Sequence, residues 1–258
     1  AHELALSVPT VSRATQMIIS LVGSLPLRHY TRQWTGEEYE KIYEPNESWM
    51  DQPDPTLTRN FIMSNTCMDL MMRGRAFWYI TSRSSATGRP LSFQWMPCEM
   101  VDTLDQPGPQ FYGKSNQILF NGQTIPSQDV VQFLAPVQGF LWTGRRVLET
   151  AIKLDRSAER FASNEIVAGY LQQTDSSEPL DAESLGELAA AWSNARRVNA
   201  VGALNSAVKY EQFDTDPSKM QLVEARNFSA LELSRAIGVP AYLLGIGISG
   251  YNYSNATQ

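Results

Sequence analysis

The sequence predicts an α+β protein, with a mixed domain followed by two long helices that flank a small module. Three observations lead to this prediction. Residues 76–134 contain short segments rich in aromatic and β-branched residues, separated by Gly and Pro. Residues 144–164 and 216–237 carry apolar residues at the three- and four-residue spacing of a helix. Residues 169–213, between these helices, follow a strand–helix–strand–strand pattern.

The first domain is predicted to begin with an amphipathic helix over residues 8–22, where apolar residues recur at spacings of three and four. Gly23 and Pro26 are expected to end this helix. A strand is predicted over residues 25–31, with a turn at residues 35–36.

A second helix is predicted over residues 58–73, with Gly74 as its stop. Five short strands are then expected, over residues 76–81, 91–95, 100–104, 117–120 and 130–134. The dipeptide Asn121-Gly122 is the strongest short hairpin signal in the chain. These elements are interpreted as one α+β domain that extends to about residue 140.

The helix predicted over residues 144–164 has an apolar side and an opposite side that carries a basic stripe. The stripe consists of Arg146, Lys153, Arg156 and Arg160. One interpretation is a solvated helix face, or one paired with an acidic neighbour such as Glu224 or Glu232, since surface pairs contribute little. The other interpretation is a wall that faces a polyanion.

The small module is predicted to contain a strand at residues 169–172 and an acidic loop at residues 174–178. Asp181 is expected to cap a helix that runs to about Arg197. Two further strands, at residues 200–204 and 208–213, complete the module.

The last helix is predicted to begin at Asp216-Pro217 and to end at Gly238 and Pro240. Its apolar residues cover most of its circumference, so it is expected to be buried on most sides. Two helices with this much apolar surface beside a small module would expose apolar patches in a monomer. The pattern therefore predicts contacts between subunits.

Composition and charge narrow the function classes. The formal net charge is −6, which disfavours a tight general nucleic-acid binder but is compatible with weak contacts along a conduit. Cys67 and Cys98 have no short spacing, so neither a disulfide framework nor a zinc site is expected, and a reducing compartment is the simplest setting. No apolar run is long enough for a membrane span, and the first residues do not resemble a signal peptide.

The sequence offers little catalytic chemistry. His2, expected at a frayed end, and His29, expected to face outward from a strand, are the two histidines, and neither suggests a catalytic triad. Asp214 and Asp216 could be imagined as a metal pair, but a helix cap is the favoured interpretation. No spacing between tryptophans and basic residues suggests a base-stacking platform, and no cofactor is predicted.

Residues 245–250 match G-x-G-x-x-G, the phosphate-binding loop of dinucleotide sites. That fingerprint requires a strand before the loop and a helix after it. The sequence predicts a helix and a Pro-led turn before the loop, so a loop with backbone freedom is favoured over nucleotide binding.

Several motifs carry a resemblance to the portal proteins of tailed bacteriophages. Residues 236–245 read AIGVPAYLLG and residues 253–258 read YSNATQ. They resemble the family's FGVPPxLLG helix end and its following YSN-x-x-Q segment. Looser matches in the same order include the SLPLRHY segment at residues 24–30 and the QPDP turn at residues 52–55.

This resemblance implies a portal architecture with these domains: a wing domain over residues 1–142, a first stem helix over residues 143–167, a clip module over residues 168–214, a second stem helix over residues 215–240, and a tunnel-loop region over residues 241–258. Family members continue beyond this point, so the sequence is interpreted as a fragment. The same resemblance implies a non-enzymatic subunit of a ring, usually of twelve copies, at one capsid vertex. It is expected to be assembled in the host cytoplasm and to have no membrane partner.

The implied partners are further copies of the chain, double-stranded DNA in the channel, the terminase packaging motor, and capsid and head–tail connector proteins. The tunnel loop would present to DNA Ile246, Gly247, Ser249, Gly250, Tyr251, Asn252 and Tyr253. The basic stripe is a second candidate for the channel wall. The clip is expected to dock the motor through Asp175, Glu178, Arg196 and Arg197.

Two alternatives from other classes remain. One is an enzyme that holds a nucleotide or another phosphate-bearing ligand in the loop at residues 245–250. The other is a different head–tail structural protein or a scaffold, which would lack a DNA tunnel.

Overall fold

A computed structural model describes residues 1–162, 169–173, 181–197, 208–212 and 222–247. The described residues divide into two compact units. One unit takes its residues from Ala1–Leu148 and Glu232–Gln258, and the other from Glu149–Leu231. The proposed portal domain boundaries are a finer division, and they stay a prediction.

The first unit opens with two helices, α1 (His2–Leu6) and α2 (Pro9–Ser24). The prediction of a helix over residues 8–22 is confirmed. Pro9 occupies its first turn, where the missing N–H costs nothing. Gly23 lets α2 approach a later helix closely, because a Cβ there would lie 2.3 Å from Ser64 Oγ.

An exposed hairpin follows, formed by β1 (Tyr30–Trp34) and β2 (Tyr39–Tyr43) in antiparallel register. The strand predicted over residues 25–31 was placed too early, because Pro26 has no N–H for a ladder and β1 begins only at Tyr30. β2 was not predicted, because its Glu and Lys residues interrupt the apolar alternation typical of a strand. The Asn46 side chain holds the base of the hairpin by accepting from His29 N at 3.1 Å and donating to Leu27 O at 3.1 Å.

Two helices precede the main sheet: the short α3 (Ser48–Asp51) and α4 (Arg59–Arg73). Thr58 caps α4, since its hydroxyl accepts from Phe61 N at 3.3 Å. Gly74 ends α4 with a φ of +79°, a conformation that favours glycine. The predicted bounds of this helix are confirmed.

The main sheet has the order β4-β3-β8 and is antiparallel throughout, with β3 (Arg75–Arg83) between β4 (Pro90–Met96) and β8 (Val130–Leu134). A second sheet consists of β5 (Val101–Thr103), β6 (Ile118–Phe120) and β7 (Gln123–Ile125). Asn121 and Gly122 join β6 to β7 with φ values of +50° and +78°, so the predicted hairpin is confirmed.

Consecutive residues of β3 supply the two hydrophobic cores of this unit. Phe77 enters a cluster with Met96, Cys98, Val101, Ile118 and Val130. Trp78 enters a second cluster with Ile62 of α4 and Phe93 of β4. Adjacent strand residues point to opposite sides of a sheet, so β3 lies between the two cores.

The buried carboxylate of Asp69 links α4 to the main sheet. Asp69 of α4 accepts hydrogen bonds from Trp95 Nε1 at 2.9 Å and from Cys98 N at 3.3 Å. Burial raises the pKa of Asp69 above its ordinary value, while both hydrogen bonds act in the opposite direction. Its two donors tie α4 to the end of β4 and to the turn that follows.

The short helix α5 (Phe140–Thr143) leads into α6 (Arg145–Ala162), which confirms the helix predicted from residue 144 within the described range. The second unit then contributes β9 (Gly169–Gln173), α7 (Ala182–Arg197) and β10 (Val208–Gln212). β9 and β10 pair antiparallel. The predicted cap of α7 is confirmed, because Asp181 Oδ1 accepts from Ser184 N at 3.3 Å.

The last helix, α8, spans Leu222–Ile237. The predicted start of this helix at Asp216 lies outside the described residues. So do the strand expected at residues 200–204 and the acidic loop at residues 174–178.

A double-mutant cycle should measure the polar link inside the core. Trp78 Nε1 donates to Thr66 Oγ1 at 2.7 Å, and Thr66 in turn donates to Ile62 O at 2.7 Å. Thr66→Val should lower the free energy of unfolding by about 1–3 kcal/mol, because the buried indole N–H loses its acceptor. In a Trp78→Phe background, which has no such N–H, the same change should cost clearly less. Equal costs in the two backgrounds, measured by urea unfolding, would contradict this assignment.

Candidate functional site

The end of α8 fixes where the following chain leaves the packed region. Gly238 has a φ of +81°. Val239 N donates to Ser234 O at 3.1 Å and Gly238 N to Arg235 O at 3.2 Å, which is the Schellman arrangement. The predicted stop at Gly238 is confirmed.

After Pro240 the chain forms a single 3-10 turn over Ala241–Leu244. Val239 and Ala241 are buried and anchor this turn. Gly245 follows with a φ of +73°, and Ile246 N donates back to Ala241 O at 3.1 Å. Residues from Gly247 onward therefore start from a point held by main-chain hydrogen bonds.

This geometry bears directly on the G-x-G-x-x-G match at residues 245–250. A helix and a 3-10 turn precede Gly245, whereas the dinucleotide fingerprint needs a strand there to aim the loop at a pyrophosphate. The first structural requirement of the nucleotide-binding alternative is not met.

The basic stripe of α6 is a true surface feature. Arg146, Lys153, Arg156 and Arg160 are all exposed. At 100° per residue their positions fall within a quarter-turn of one another. The pairing expected with Glu232 is not the one observed, because Glu232 bonds Arg235 on its own helix. In the second unit, Arg226 of α8 instead pairs with Asp155 of α6 at 2.8 Å.

The apolar surface of α8 is only partly covered within one chain. Leu233 is 1% exposed, whereas Val223 is 69% and Phe228 is 62% exposed. The expectation that α8 is buried on most sides is therefore wrong for a single chain. Its apolar pattern supplies more surface than the chain covers by itself.

A further surface, missed in the sequence, lies on the β1–β2 hairpin. Side chains at alternate strand positions share a side, and directly opposite residues on the two strands share it too. We call this side the aromatic–cationic face. It consists of Tyr30, Arg32 and Trp34 with their partners Tyr43, Lys41 and Tyr39.

The rings of the aromatic–cationic face contact one another. The ring centroids of Tyr30 and Tyr43 are 6.1 Å apart, and those of Trp34 and Tyr39 are 4.9 Å apart. Arg32 and Lys41 lie between these two aromatic pairs and form the middle pair of the register. The expectation that no spacing of tryptophans with basic residues suggests a base-stacking platform stays a prediction, although Trp34 shares this face with Arg32 and Lys41. The signal for this face was the alternation Tyr-x-Arg-x-Trp and Tyr-x-Lys-x-Tyr on either side of one turn.

Both cations lie against the ring of Tyr30. Lys41 Nζ lies 4.9 Å from the centroid of the Tyr30 ring, and the Arg32 guanidinium lies 6.0 Å from it. The hydrogen bond from Arg32, with the charge of Lys41 beside it, holds the pKa of the Tyr30 phenol below its ordinary value.

The first unit also contains an open cleft of about 400 Å³. Arg75 lines it and lies 4.6 Å from the ring centroid of Phe111. The Arg75 guanidinium donates to Thr103 Oγ1, which fixes its position. Arg73 lines the same cleft, but it is already paired with Glu99 at 2.7 Å.

The expectation of a frayed His2 is wrong. His2 belongs to α1, and its Nδ1 lies 2.9 Å from Glu99 Oε1. His29 is exposed, 3.8 Å from Glu44, and lies just before β1 rather than within it. The Cys98 thiol is buried, and burial raises its pKa to about 11, which disfavours the nucleophilic thiolate.

The described ranges contain neither a metal-binding cluster nor a helix suited to a membrane. Within them, no group of three His, Cys, Asp or Glu side chains could hold a metal ion. In the same ranges, no helix combines the length and apolar character needed to cross a bilayer.

Several predicted site residues fall outside the described ranges, or at their ends. Ile246 and Gly247 are the last residues described before the proposed tunnel loop, and Arg196 and Arg197 form the last turn of α7. The candidates outside the described residues are Ser249, Gly250, Tyr251, Asn252, Tyr253, Asp175, Glu178, Asp214 and Asp216.

Comparison with known proteins decides the family. A family model described as phage portal protein matches residues 9–258 of this chain. The chain belongs to the phage portal protein family. No curated protein sequence matches it.

The portal fold is also found by structural comparison. An HK97-family phage portal protein from Corynebacterium diphtheriae is similar, with 22% identity and a TM-score of 0.74 over 97% of this chain and 80% of that chain. The neck of an empty gene transfer agent particle, computed with C6 symmetry, matches with 16% identity and a TM-score of 0.60, covering 98% and 73% of the two chains. The neck of the native particle, computed with C12 symmetry, matches with 13% identity and a TM-score of 0.58, covering 96% and 70%. At these identities the likeness concerns the fold.

The segment that first suggested the portal family now has a physical description. Residues 236–245 contain the Schellman stop, the Pro-led 3-10 turn and the left-handed glycine that follows it. The two left-handed positions of this segment, 238 and 245, are both Gly, and Pro240 stands directly before the 3-10 turn. The motif therefore encodes a sharp change in chain direction.

The contact between Arg32 and Tyr30 can be tested by titration. Arg32→Gln should raise the pKa of the Tyr30 phenol, because the hydrogen bond and the positive charge that favour the phenolate are removed. Tyrosine Cζ chemical shifts would report this pKa, with Tyr30→Phe to assign the signal. Arg89→Gln, a change at an exposed loop position, should leave the pKa unchanged. An unaltered titration in Arg32→Gln would show that the contact does not form in solution.

Proposed function

We propose that this portal-family chain is a subunit of a ring-shaped channel at one vertex of a phage or phage-like capsid, through which DNA is packaged, retained and ejected. Membership of the family supports the portal role. The similar neck structures were computed with six-fold and twelve-fold symmetry, which supports a ring and favours twelve copies. The subunit would be assembled in the host cytoplasm and would reside in the virion.

The observation that carries the ring proposal is the uncovered apolar surface of α8. Val223 and Phe228 expose most of their side chains in the single chain. At 100° per residue Val223 and Phe228 lie about 140° apart around the helix, so each offers a contact to a different neighbour, as subunits of a ring provide. A ring explains this surface without an additional partner.

The proposed roles of the parts follow the portal architecture. Residues 1–142 form the wing, α6 and α8 lie in the two stems, and residues 168–214 form the clip. The clip would dock the terminase motor through Arg196 and Arg197 with the acidic Asp175 and Glu178. Capsid proteins and head–tail connector proteins would contact other parts of the ring.

DNA would meet the ring at the tunnel loop and at the basic stripe of α6. The loop has no Lys or Arg between residues 246 and 253, so its contacts would be hydroxyl and apolar. Such a collar adds little electrostatic drag, because counterion release scales with the phosphates that are neutralised. The stripe would act as a weak guide that salt screens.

Portal proteins are structural components, and we include the absence of enzymatic activity in the proposal. The helix and 3-10 turn before Gly245 support this over the nucleotide-binding alternative. A scaffold or another head–tail structural protein would differ by lacking a DNA tunnel, which images of the assembled particle would reveal.

Ring assembly predicts a sharp response to charge on α8. Val223→Lys in the full-length protein should abolish or strongly weaken ring formation, because an unpaired ammonium buried at each interface costs several kcal/mol. Light scattering at micromolar concentration would report the mass. Glu224→Gln, at the adjacent exposed position, is the matched control and should assemble normally. A full-length wild-type protein that remains monomeric under these conditions would contradict the proposal.

If residues 246–253 form the tunnel loop, a change in this loop should impair the retention of DNA but not the assembly of rings. Deletion of residues 247–250 should leave rings intact, since the buried anchor at Val239 and Ala241 is untouched. Particles that carry the deletion should lose packaged DNA or fail to complete packaging, measured as nuclease-protected DNA per particle. Normal retention by deleted particles would remove the loop from the proposed channel.

A further inference from the structure

The aromatic–cationic face of the β1–β2 hairpin has the composition of a protein-interface centre. Trp34, Tyr39 and Tyr43 are 54%, 66% and 62% exposed. Tyr, Trp and Arg are the residues enriched at the energetic centres of interfaces, because they bury large rigid surfaces and still offer polar groups. Four such rings around two cations form a dense site on only two strands.

The hairpin also holds two like charges side by side, with the Tyr30 ring against both of them. Arg32 and Lys41 are directly opposite in the register, and like charges in that position destabilise a strand pair. No ion pair joins either cation to a carboxylate in the parts of the chain that the structure describes. An anionic partner would relieve the conflict.

The exposure of the hairpin also favours a partner that packs against it. Its two strands form a sheet of their own, and nine of its ten strand residues are exposed. A two-stranded sheet is marginally stable in water by itself. A partner that packs on the aromatic–cationic face would supply the missing layer.

We propose that the aromatic–cationic face docks on an acidic surface of the adjacent copy of this chain in the ring. This inference rests on the ring assembly proposed above and assigns one side of its subunit interface. Two copies of a cationic surface repel each other, so the face fits a heterologous, head-to-tail contact, the kind that closes rings.

Charge complementarity favours a second copy as the occupant. The chain has 27 acidic and 21 basic residues, so each copy offers negative surface elsewhere. Exposed carboxylates of the first unit outside the hairpin include Glu3, Asp51, Asp102 and Asp105. A nucleic-acid strand is disfavoured as the occupant, because the formal net charge of the chain is −6.

The test compares two full-length variants of equal net charge. Arg32→Gln with Lys41→Gln neutralises the aromatic–cationic face. Arg13→Gln with Arg89→Gln neutralises two exposed cations elsewhere. Sedimentation velocity over a concentration series would give the midpoint of ring assembly for each variant and for the wild type, at low and high salt.

In the Arg32/Lys41 variant, the subunit concentration at which half of the protein is assembled should be about tenfold higher or more. This concentration should also depend less on salt than it does in the wild type. Its dissociated subunit should melt at the wild-type temperature or higher, because the like-charge pair is gone. A misfolded variant would instead melt lower, so the two effects are distinguishable. The Arg13/Arg89 control should assemble as the wild type does.

Zero-length coupling identifies the partner surface independently of these variants. Carbodiimide treatment of rings made from mixed ¹⁴N- and ¹⁵N-labelled subunits should join Lys41 of one copy to an Asp or Glu of another. Mass spectrometry would show mixed-isotope cross-linked peptides. Lys41 cross-links confined to one copy would overturn the inference.

Three other outcomes would overturn either the hairpin inference alone or the ring proposal with it. If wild-type rings form and the Arg32/Lys41 variant assembles equally well, or no worse than its control, the hairpin inference is wrong and the ring proposal stands. If the wild type stays monomeric, the ring proposal is wrong and the inference falls with it. If rings are unaffected but the wild type alone binds a short fluorescent single-stranded oligonucleotide, the face is a nucleic-acid surface and the inference is overturned.

Discussion

The first unit depends on the central position of β3. This strand pairs with β4 on one side and with β8 on the other, and its consecutive residues Phe77 and Trp78 fill separate cores. The same strand fixes the approach to α5. Ala135 N donates to Gly74 O at 2.9 Å, and a Cβ on Gly139 would lie 2.4 Å from Met72 O. The point where the chain enters α5 is therefore set by backbone packing next to β3, which admits no side chain at Gly139.

Elements with strong local signals could be predicted from the sequence almost to the residue. The Thr58 cap and Gly74 stop bound α4, and the Asn-Gly turn defines the β6–β7 hairpin, because each depends on neighbouring residues alone. β2 could not be recognised by composition, since Glu40 and Lys41 are poor strand formers. Its stability comes from the cross-strand pairs with β1, which only the register reveals. The short helix α1, with His2 against Glu99, depends on a contact 97 residues away.

In the candidate site, too, the features set by neighbouring residues could be predicted, whereas those set by distant contacts could not. The helix stop at Gly238 and the exposed basic stripe of α6 follow from local sequence, so both could be predicted. The aromatic–cationic face was missed, because its two alternating segments become one surface only when the strands pair in a defined register. The buried or exposed state of Val223 could not be predicted either, since periodicity shows that a surface is apolar but not which molecule covers it. The family match supports the proposal that copies of the same chain cover this surface.

The central claim is that the uncovered surfaces of this chain are subunit interfaces of a channel. Electron microscopy of the purified full-length protein tests it most directly. Class averages should show closed rings with a stain-filled axial hole and twelve-fold or other rotational symmetry. Particles of monomer size, or compact assemblies without an axial hole, would contradict the account.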